Sequence, residues 1–187
     1  MPLGGPHHRA YPEKVQRRSA VLTVLLIAAV VVLVDQLTKA WAISSLGDAP
    51  PVEVVGRWLR WVYVTNSGAA FSLGNGNAWL FTLIAAGLIA AVLFFMTRVT
   101  NVWWAVSLGM VLGGGLGNFI DRMVREPGIG QGHVVDFIAV PNWPVFNVAD
   151  MAVVGGAALA MILSVRGIDY RDRNLDKDSA LQNTVPQ

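Results

Sequence analysis

AWLFTLIAAGLIAAVLFFMTRVTNVWWAVSLGMVLGGGLGNFID, residues 78–121, contains two long apolar segments, 78–96 and 102–121, separated by a short turn. Each segment is long enough to cross a hydrocarbon core of about 30 Å at about 1.5 Å per helical residue. Because a backbone in the bilayer core has to satisfy its own hydrogen bonds, both segments are predicted to be helices. The short turn makes them antiparallel, so this stretch predicts a helical hairpin across a membrane.

Two further apolar segments, residues 20–43 and 145–166, complete the predicted membrane domain. Of the 187 residues, 54% are hydrophobic and 14% are charged, and the mean hydropathy is +0.51. This composition is typical of a membrane protein. A cleavable signal peptide is the alternative for the first segment, but Asp35 and Lys39 interrupt it, whereas the apolar core of a signal peptide is uncharged. We therefore predict four retained spans in one domain, residues 19–168.

Basic residues are divided unequally between the two ends of the spans. Nine lie in the tails or in the turn between spans two and three, and four lie in the two long loops, 44–77 and 122–144. The positive-inside rule therefore predicts that both termini are cytoplasmic and that both loops lie outside. The tails, residues 1–18 and 169–187, are polar and predicted to be disordered.

The first outer loop is predicted to contain a small extracytoplasmic sheet. Leu59–Thr65 is rich in β-branched and aromatic residues, which is typical of a strand, and residues 66–68 are typical of a turn. We expect Trp58 and Trp61 near the headgroups, where tryptophan is enriched. Three glycines would allow the loop to hinge: Gly68, Gly74 and Gly76.

Composition also argues against several classes of function. The net charge of +2 is too small to indicate nucleic-acid binding. The chain has no cysteine and only three histidines, and it lacks an HExxH motif. The sequence therefore predicts neither thiol chemistry nor a zinc protease. We predict no metal and no cofactor.

Four aspartates in or beside the apolar segments are the candidate functional residues: Asp35, Asp121, Asp136 and Asp150. A carboxylate at such a position is costly and by default indicates a functional site. Polar partners at helical spacing accompany three of them: Lys39 with Asp35, Asn118 with Asp121 and also with Arg122, and Asn147 with Asp150.

Each of these groups also has a structural interpretation. Asn147 could cap the fourth helix, with Asp150 complementing the helix dipole. Asp121 and Arg122 could pair at a close helix crossing, since glycines recur every four residues before them. Asp136 could lie on a small strand or a re-entrant segment, and Asp35 could simply pair with Lys39.

Two convergent carboxylates at a partly dry site cannot easily both ionise. One pKa rises and the pair shares a proton, so that one carboxylate activates water while the other acts as acid. This is aspartic-protease chemistry. The alternatives are a serine hydrolase using Lys39 with Ser67 or Ser44, which no motif supports, a small proton-coupled transporter or channel using intramembrane Asp residues, and a non-catalytic scaffold, which leaves the acids unexplained.

Five ordered motifs between about Val30 and Val165 resemble the lipoprotein signal peptidase (signal peptidase II) family of bacterial intramembrane aspartic proteases. They are Asp35-Gln36-Leu37-Thr38-Lys39, Asn66-Ser67-Gly68-Ala69-Ala70-Phe71, Gly117-Asn118-Phe119-Ile120-Asp121-Arg122, Val134-Val135-Asp136-Phe137 and Phe146-Asn147-Val148-Ala149-Asp150. Two features depart from the family pattern: Gly115 stands where many members have alanine, and the link between Asp136 and Asp150 is short.

The resemblance implies four transmembrane helices, an extracytoplasmic β-cradle and a short peripheral helix. It implies removal of the signal peptide from diacylglyceryl-modified prolipoproteins, before the lipidated cysteine, at the outer face of the bacterial cytoplasmic membrane. We also expect membrane lipids as partners, a monomer, and inhibition by globomycin-type compounds. The family's catalytic pair maps onto Asp136 and Asp150. The residues expected to bind substrate or support the pair are Asp35, Lys39, Asn66, Gly68, Asn118, Asp121, Arg122 and Asn147.

From the residues alone, the partner of Asp150 could be Asp121 or Asp136. Asp121 has Arg122 beside it and is therefore predicted to stay ionised and paired. Asp136 has apolar neighbours and no cation within three residues, which favours a raised pKa. We therefore predict Asp136 as the partner.

Overall fold

A computed structural model describes residues 13–68 and 78–171 of the chain. Its elements follow one another in the order α1 (Glu13–Leu46), β1 (Val52–Val55), β2 (Leu59–Asn66), α2 (Ala78–Met96), α3 (Val102–Val124), β3 (Val134–Ala139) and α4 (Val148–Val165). All four helices are long and apolar enough to cross a membrane. The strands form one antiparallel sheet in the order β1-β2-β3. The predicted fold class, four membrane helices with a small sheet, is confirmed.

The ends of the helices follow from local sequence. The bounds of α2 coincide with the predicted span, whereas α1 begins at Glu13 rather than at residue 20. The residues before the apolar run include Lys, Gln and Arg, which are good helix formers, so the helix continues past the apolar region. The prediction of a disordered tail up to residue 18 is therefore wrong from residue 13 onward.

The start of α4 is set by Asn147 rather than by the first apolar residue of the predicted span. The Asn147 side chain accepts a hydrogen bond from the backbone N–H of Asp150 at 2.9 Å, as an N-cap residue does. Such a cap stabilises a helix by about 1 kcal/mol. Because Asn147 is the cap, the helix begins at Val148 and not at residue 145.

Helix α3 lies between α1 and α4 and contacts both closely through glycines. A Cβ at Gly113 would lie 2.8 Å from the carbonyl oxygen of Ala28 in α1, and one at Gly117 would lie 2.6 Å from Oδ2 of Asp35. On the α4 side, a Cβ at Gly114 would overlap the carbonyl oxygen of Ala149. The predicted role of the glycines in close helix packing is confirmed.

The sheet packs against the last turns of α1. In the sheet, Val64 of β2 lies opposite Asp136 of β3, so the predicted strand at residues 59–65 is confirmed. Trp61 contacts Trp41 of α1 and Phe137 of β3, with ring centroids 5.9 and 6.1 Å away. Trp58, in contrast, is exposed. The aromatic cluster therefore fixes the sheet, and Asp136 with it, to one end of the helical bundle.

At the other end of the bundle, the residues after α4 fold back onto the turn between α2 and α3. The backbone N–H groups of Thr100 and Asn101 donate to the carbonyl oxygen of Tyr170 at 3.0 and 3.1 Å. Trp104 Nε1 donates to the carbonyl oxygen of Ile168 at 2.8 Å. The prediction of a disordered tail from residue 169 is therefore wrong for Tyr170.

Three predictions concern features that do not appear among the described helices, strands and turns. The short peripheral helix implied by the family resemblance is not one of the helices within residues 13–68 and 78–171. Gly74 and Gly76, predicted to act as hinges, and residues 69–71 of the second motif lie outside the described residues.

Candidate active site

The predicted site residues come from six parts of the chain and meet at the end of the bundle that carries the sheet. They are Asp35 and Lys39 on α1, Asn66 at the end of β2, Gly68 just after it, Asn118, Asp121 and Arg122 in the last turns of α3, Asp136 on β3, and Asn147 with Asp150 at the start of α4. Within the described residues, all except Arg122 take part in hydrogen bonds or ion pairs to side chains of the group, Gly68 through its backbone N–H.

Asp136 is a buried carboxylate held by two amides. Asn66 Nδ2 donates to its Oδ2 at 2.9 Å, and Asn147 Nδ2 donates to its Oδ1 at 2.6 Å. Burial raises the pKa of Asp136 from its ordinary 3.8 to about 6. The hydrogen bond from Asn66 lowers this pKa, the charge of Asp150 raises it, and the hydrogen bond from Asn147 lowers it. The expectation of a raised pKa for this residue agrees with its position on the buried strand β3.

Asp150 lies in the first turn of α4 and is also held by two donors. Asn118 Nδ2 donates to its Oδ1 at 2.7 Å, and the backbone N–H of Asn147 donates to its Oδ2 at 3.2 Å. The second bond completes a capping box, so the structural interpretation of Asn147 and Asp150 is also correct. It does not compete with a functional role, because the Asn147 amide still reaches Asp136. Asn147 therefore contacts both carboxylates and is completely buried.

Below these residues, Lys39 is surrounded by three oxygen atoms. Its Nζ lies 2.8 Å from Asp35 Oδ2 and 2.9 Å from Asp121 Oδ2, and it donates to Asn118 Oδ1 at 2.9 Å. The side chains of all three charged residues have no exposed surface. With its three N–H bonds directed at these oxygens, Lys39 has no lone pair to offer as a base, which argues against the serine alternative.

The contacts of Lys39 orient the site above it. Because Asn118 Oδ1 accepts from Lys39, the amide nitrogen of Asn118 points the other way and donates to Asp150. Asp35 Oδ1 in turn accepts the backbone N–H of Ala149 at 2.9 Å, at the start of α4. The buried ions thus hold both the amide that contacts Asp150 and the helical turn that carries it.

The predicted partner of Asp121 is wrong. Asp121 pairs with Lys39 and with Arg125, whose Nε lies 2.8 Å from Oδ1, and no ion pair with Arg122 occurs within residues 13–68 and 78–171. Adjacent residues point about 100° apart on a helix, whereas residues four apart share a face. Arg122 instead lies over the ring of Phe81 in α2, with its Cζ 5.5 Å from the centroid.

Three residues of this region were not identified from the sequence. Gln36 Nε2 donates to Asp35 Oδ2 and Asp121 Oδ1, both at 3.2 Å, and so joins the two acids. Arg125 could have been found by its spacing of four from Asp121. No sequence signal identifies Phe81, because its contact with Arg122 joins two helices.

A cavity of about 360 Å³ opens beside Asp136. Its walls are the end of β2, with the turn that follows it, and the segment before α4. The lining residues are Val64, Thr65, Asn66, Ser67, Asp136, Pro144 and Val145. Of the two carboxylates, Asp136 lines this space, in which a peptide could lie.

Comparisons with known proteins agree with this geometry. The model of the Signal peptidase (SPase) II family matches residues 27–166. The chain is 48% identical to the lipoprotein signal peptidase of Mycobacterium avium (strain 104) over 147 residues, which is 79% of this chain and 81% of the relative. It is 43% identical to the lipoprotein signal peptidase of Rhodococcus jostii (strain RHA1) over 164 residues, 88% of this chain and 82% of the relative.

A solved structure shows the same fold. A bacterial membrane enzyme determined by the in meso method at 2.3 Å is 32% identical, with a TM-score of 0.66, and the match covers 77% of this chain and 88% of the other. The comparisons give no support to a proton-coupled transporter. The chain therefore belongs to the signal peptidase II family, the membrane-embedded peptidases that remove signal peptides from prolipoproteins.

Proposed function

We propose that Asp136 and Asp150 are the catalytic pair of this peptidase. The observation that carries the assignment is the division of the four acids into two kinds. Asp35 and Asp121 are paired with Lys39, whereas no Lys or Arg nitrogen within the described ranges lies within ion-pair distance of Asp136 or Asp150. Both of the latter are held by neutral N–H donors, and Asn147 contacts both of them: its backbone N–H donates to Asp150 and its side-chain amide donates to Asp136.

Neutral donors suit a pair that has to exchange a proton. An ion pair would fix a carboxylate in its charged form, whereas an amide orients it without adding a charge. The raised pKa of Asp136, about 6, favours the state in which the pair holds one proton. We assign that proton to the pair as a unit, because the charge of Asp150 acts on Asp136.

The proposed reaction begins with one carboxyl of the pair protonated and the other ionised. The ionised carboxylate takes a proton from a water molecule, whose oxygen attacks the carbonyl carbon of the scissile peptide bond. The protonated carboxyl donates its proton to the carbonyl oxygen, which gives a tetrahedral diol. When the diol collapses, the carboxyl that took the water proton gives it to the leaving nitrogen and the C–N bond breaks. The other carboxylate takes a proton from a diol hydroxyl, so that the pair again holds one proton.

The other predicted residues receive supporting roles. Asn66 and Asn147 orient Asp136, and Asn118 orients Asp150. Lys39, with Asp35 and Asp121, holds Asn118 in place. Gly68 lies in a left-handed turn (φ of 97°), and its N–H donates to Asn66 Oδ1 at 2.8 Å, which fixes the Asn66 amide toward Asp136. Arg122 has a buried Nη1 without a hydrogen-bond partner in the described part of the chain, and we assign it to a carbonyl oxygen of the substrate.

For the substrate, we propose a prolipoprotein whose cysteine already carries diacylglycerol, cut just before that cysteine. The lipid chains can remain in the bilayer while the peptide lies in the cavity beside Asp136. Equal cleavage of lipidated and non-lipidated precursors would contradict this choice. Globomycin-type inhibitors, if they occupy the same cavity, should compete with the precursor.

We further propose a monomeric enzyme in the bacterial cytoplasmic membrane, surrounded by lipid, with one domain over residues 19–168, cytoplasmic tails and an extracytoplasmic site. The chain has no cysteine, so single cysteines can report its orientation. Lys14 and Asp48 are exposed and lie before and after the apolar part of α1. In intact cells, an impermeant maleimide should label Asp48→Cys and spare Lys14→Cys; the reverse pattern would contradict the orientation.

The catalytic assignment is tested with Asp136→Asn and Asp150→Asn. Each substitution keeps the shape of the side chain and removes its ability to exchange a proton, so cleavage of a lipidated precursor peptide should fall by about 10²–10⁴-fold or more. Asp48→Asn, an exposed acid in the first outer loop, is the matched control and should keep full activity. Turnover by either pair variant at the control's rate, in protein that remains folded, would refute the assignment.

A further inference from the structure

The ring of Phe81 connects the two sides of the site. Phe81 lies in the first turn of α2, and its face carries the guanidinium of Arg122 from α3 at 5.5 Å. A Cβ at Gly68 would lie 2.5 Å from Cδ2 of the same ring, so the backbone of the turn after β2 rests directly on it. One aromatic ring thus contacts both Arg122 and the turn that orients Asn66.

The Arg122 side chain depends on this contact more than an ordinary arginine would. It is 7% exposed, and its Nη1 is buried without a hydrogen-bond partner in the described residues. It is attracted electrostatically by Asp136, Asp121 and Asp150, but it forms no ion pair with any of them in residues 13–68 and 78–171. The guanidinium thus lies over the face of Phe81 rather than on a carboxylate oxygen.

The backbone around Phe81 is fixed to the same part of α3. The neighbouring Thr82 donates through Oγ1 to the carbonyl oxygen of Gly130 at 2.7 Å. The N–H of Gly130 donates to the carbonyl oxygen of Arg122 at 2.9 Å, and so does the N–H of Gly132 at 3.0 Å. The start of α2 is thus held against Arg122 both through the Thr82 hydroxyl and through the ring.

From this arrangement we propose that Phe81 is a positioning residue of the reaction, which holds the Arg122 guanidinium by a cation–π contact so that Nη1 stays free for the substrate. The proposal rests on the role assigned to Arg122 above. Phe81 itself contacts no reacting atom. A desolvated cation–π contact is worth about 1–2 kcal/mol, which corresponds to about a 5- to 30-fold change in rate.

The test separates the face of the ring from its volume. Phe81→Leu and Phe81→Met remove the π-face and keep most of the apolar volume, and each should lower kcat/KM on a lipidated precursor peptide by about 5- to 30-fold. Phe81→Tyr and Phe81→Trp keep the face and should stay within about 3-fold of the unchanged enzyme. If Leu and Tyr variants are equally impaired, or if neither is, the proposal is wrong.

Phe94 provides a control within the same helix. It lies at the other end of α2, where the Cζ of Arg98 is 3.8 Å from its ring centroid. Phe94→Leu thus breaks the same kind of contact far from the carboxylates and should leave kcat/KM unchanged. A comparable loss in Phe94→Leu and Phe81→Leu would show that α2 stability, rather than the position of Arg122, is affected, and would overturn the proposal.

A double-mutant cycle shows whether Phe81 acts through Arg122. In an Arg122→Gln background, Phe81→Leu should lower kcat/KM by no more than about 2-fold further, because the group it positions is absent. Full additivity of the two losses would overturn the proposal while leaving the assignment of Asp136 and Asp150 intact. Conversely, active Asp136→Asn or Asp150→Asn variants would contradict the catalytic pair without affecting the coupling of Phe81 to Arg122.

Discussion

Two adjacent glycines of α3 allow the contact between α3 and α4 to be tested with a matched pair of substitutions. A Cβ at Gly114 would overlap the carbonyl oxygen of Ala149 and lie 2.7 Å from Cγ2 of Val153, both in α4. A Cβ at Gly115 would lie 3.6 Å from Ile89 Cγ1 and 3.8 Å from Leu88 Cδ2, which is ordinary van der Waals contact. Both substitutions add one methyl group to the same helix, and they differ only in the atoms that the new methyl group contacts.

The magnitudes follow from these distances. Both substitutions gain about 1 kcal/mol of helix propensity. In Gly114→Ala, overpacking costs about 1–3 kcal/mol, so the free energy of unfolding should fall by about 0–2 kcal/mol. Relief of the overlap requires α4 to move by about 1 Å, the amount needed to restore ordinary contact distances. The 2.7 Å hydrogen bond from Asn118 to Asp150 would then be broken.

Activity should therefore respond much more strongly than stability. A displacement of about 1 Å between catalytic groups can cost about 10²-fold in rate, so Gly114→Ala should lose most of its cleavage activity while remaining folded. Gly115→Ala should keep full activity and unfold at an equal or higher temperature. The assay is turnover of a lipidated precursor peptide in detergent, alongside thermal unfolding of the same preparations. Equal activity of the two variants would refute the inference that the α3–α4 contact sets the position of Asp150.

Two further predictions concern charge. Because the pKa of Asp136 is raised from 3.8 to about 6, the folded protein binds more protons than the unfolded chain in that interval; the stabilisation from protonated Asp136 is complete below about 3.8 and is lost as the pH rises through about 6. The kcat/KM of the enzyme should accordingly decline above about pH 6, as the pair loses its shared proton. Because the Asn66 hydrogen bond lowers the pKa of Asp136, Asn66→Ala should move this decline to higher pH. A pH profile unchanged by Asn66→Ala would contradict this expectation. Lys39→Met should lower the free energy of unfolding by about 3–5 kcal/mol, because it leaves the buried Asp35 carboxylate without a cation and Asp121 with Arg125 alone. Denaturant unfolding measures the loss, exposed Lys14→Met serves as the neutral control, and equal stability of the two variants would contradict the buried network.

How much of this could be predicted depended on whether the deciding contact was local. The bounds of α2, the glycine packing of α3 and the Asp35–Lys39 pair follow from spacing within one helix. The prediction that Asp121 pairs with Arg122 was wrong, because the partner depends on which face of α3 contacts α1. Lys39 reaches it from α1, and Arg125, rather than Arg122, shares its face.

Contacts between elements account for the remaining differences. The sequence indicated that Asn147 could be either a helix cap or a site residue. It is the cap, and because β3 lies beside the start of α4, the free amide nitrogen of the same side chain also reaches Asp136. The position of Phe81 under Arg122 depends on how α2 packs on α3, and no periodicity within α2 reports that.

The buried charges also bear on how the chain enters the bilayer. α1 contains Asp35 and Lys39 as an i,i+4 pair, and Asp121 near the end of α3 forms another with Arg125, the residue that follows the helix. Asp35 and Asp121 can therefore each be inserted already paired with a cation from their own segment, whether or not the other helix has arrived. The contact between Lys39 and Asp121 forms only when the two helices meet. The ion network that ends up holding the site thus imposes no order on membrane insertion, because neither of these acids has to wait for the other helix to supply its cation.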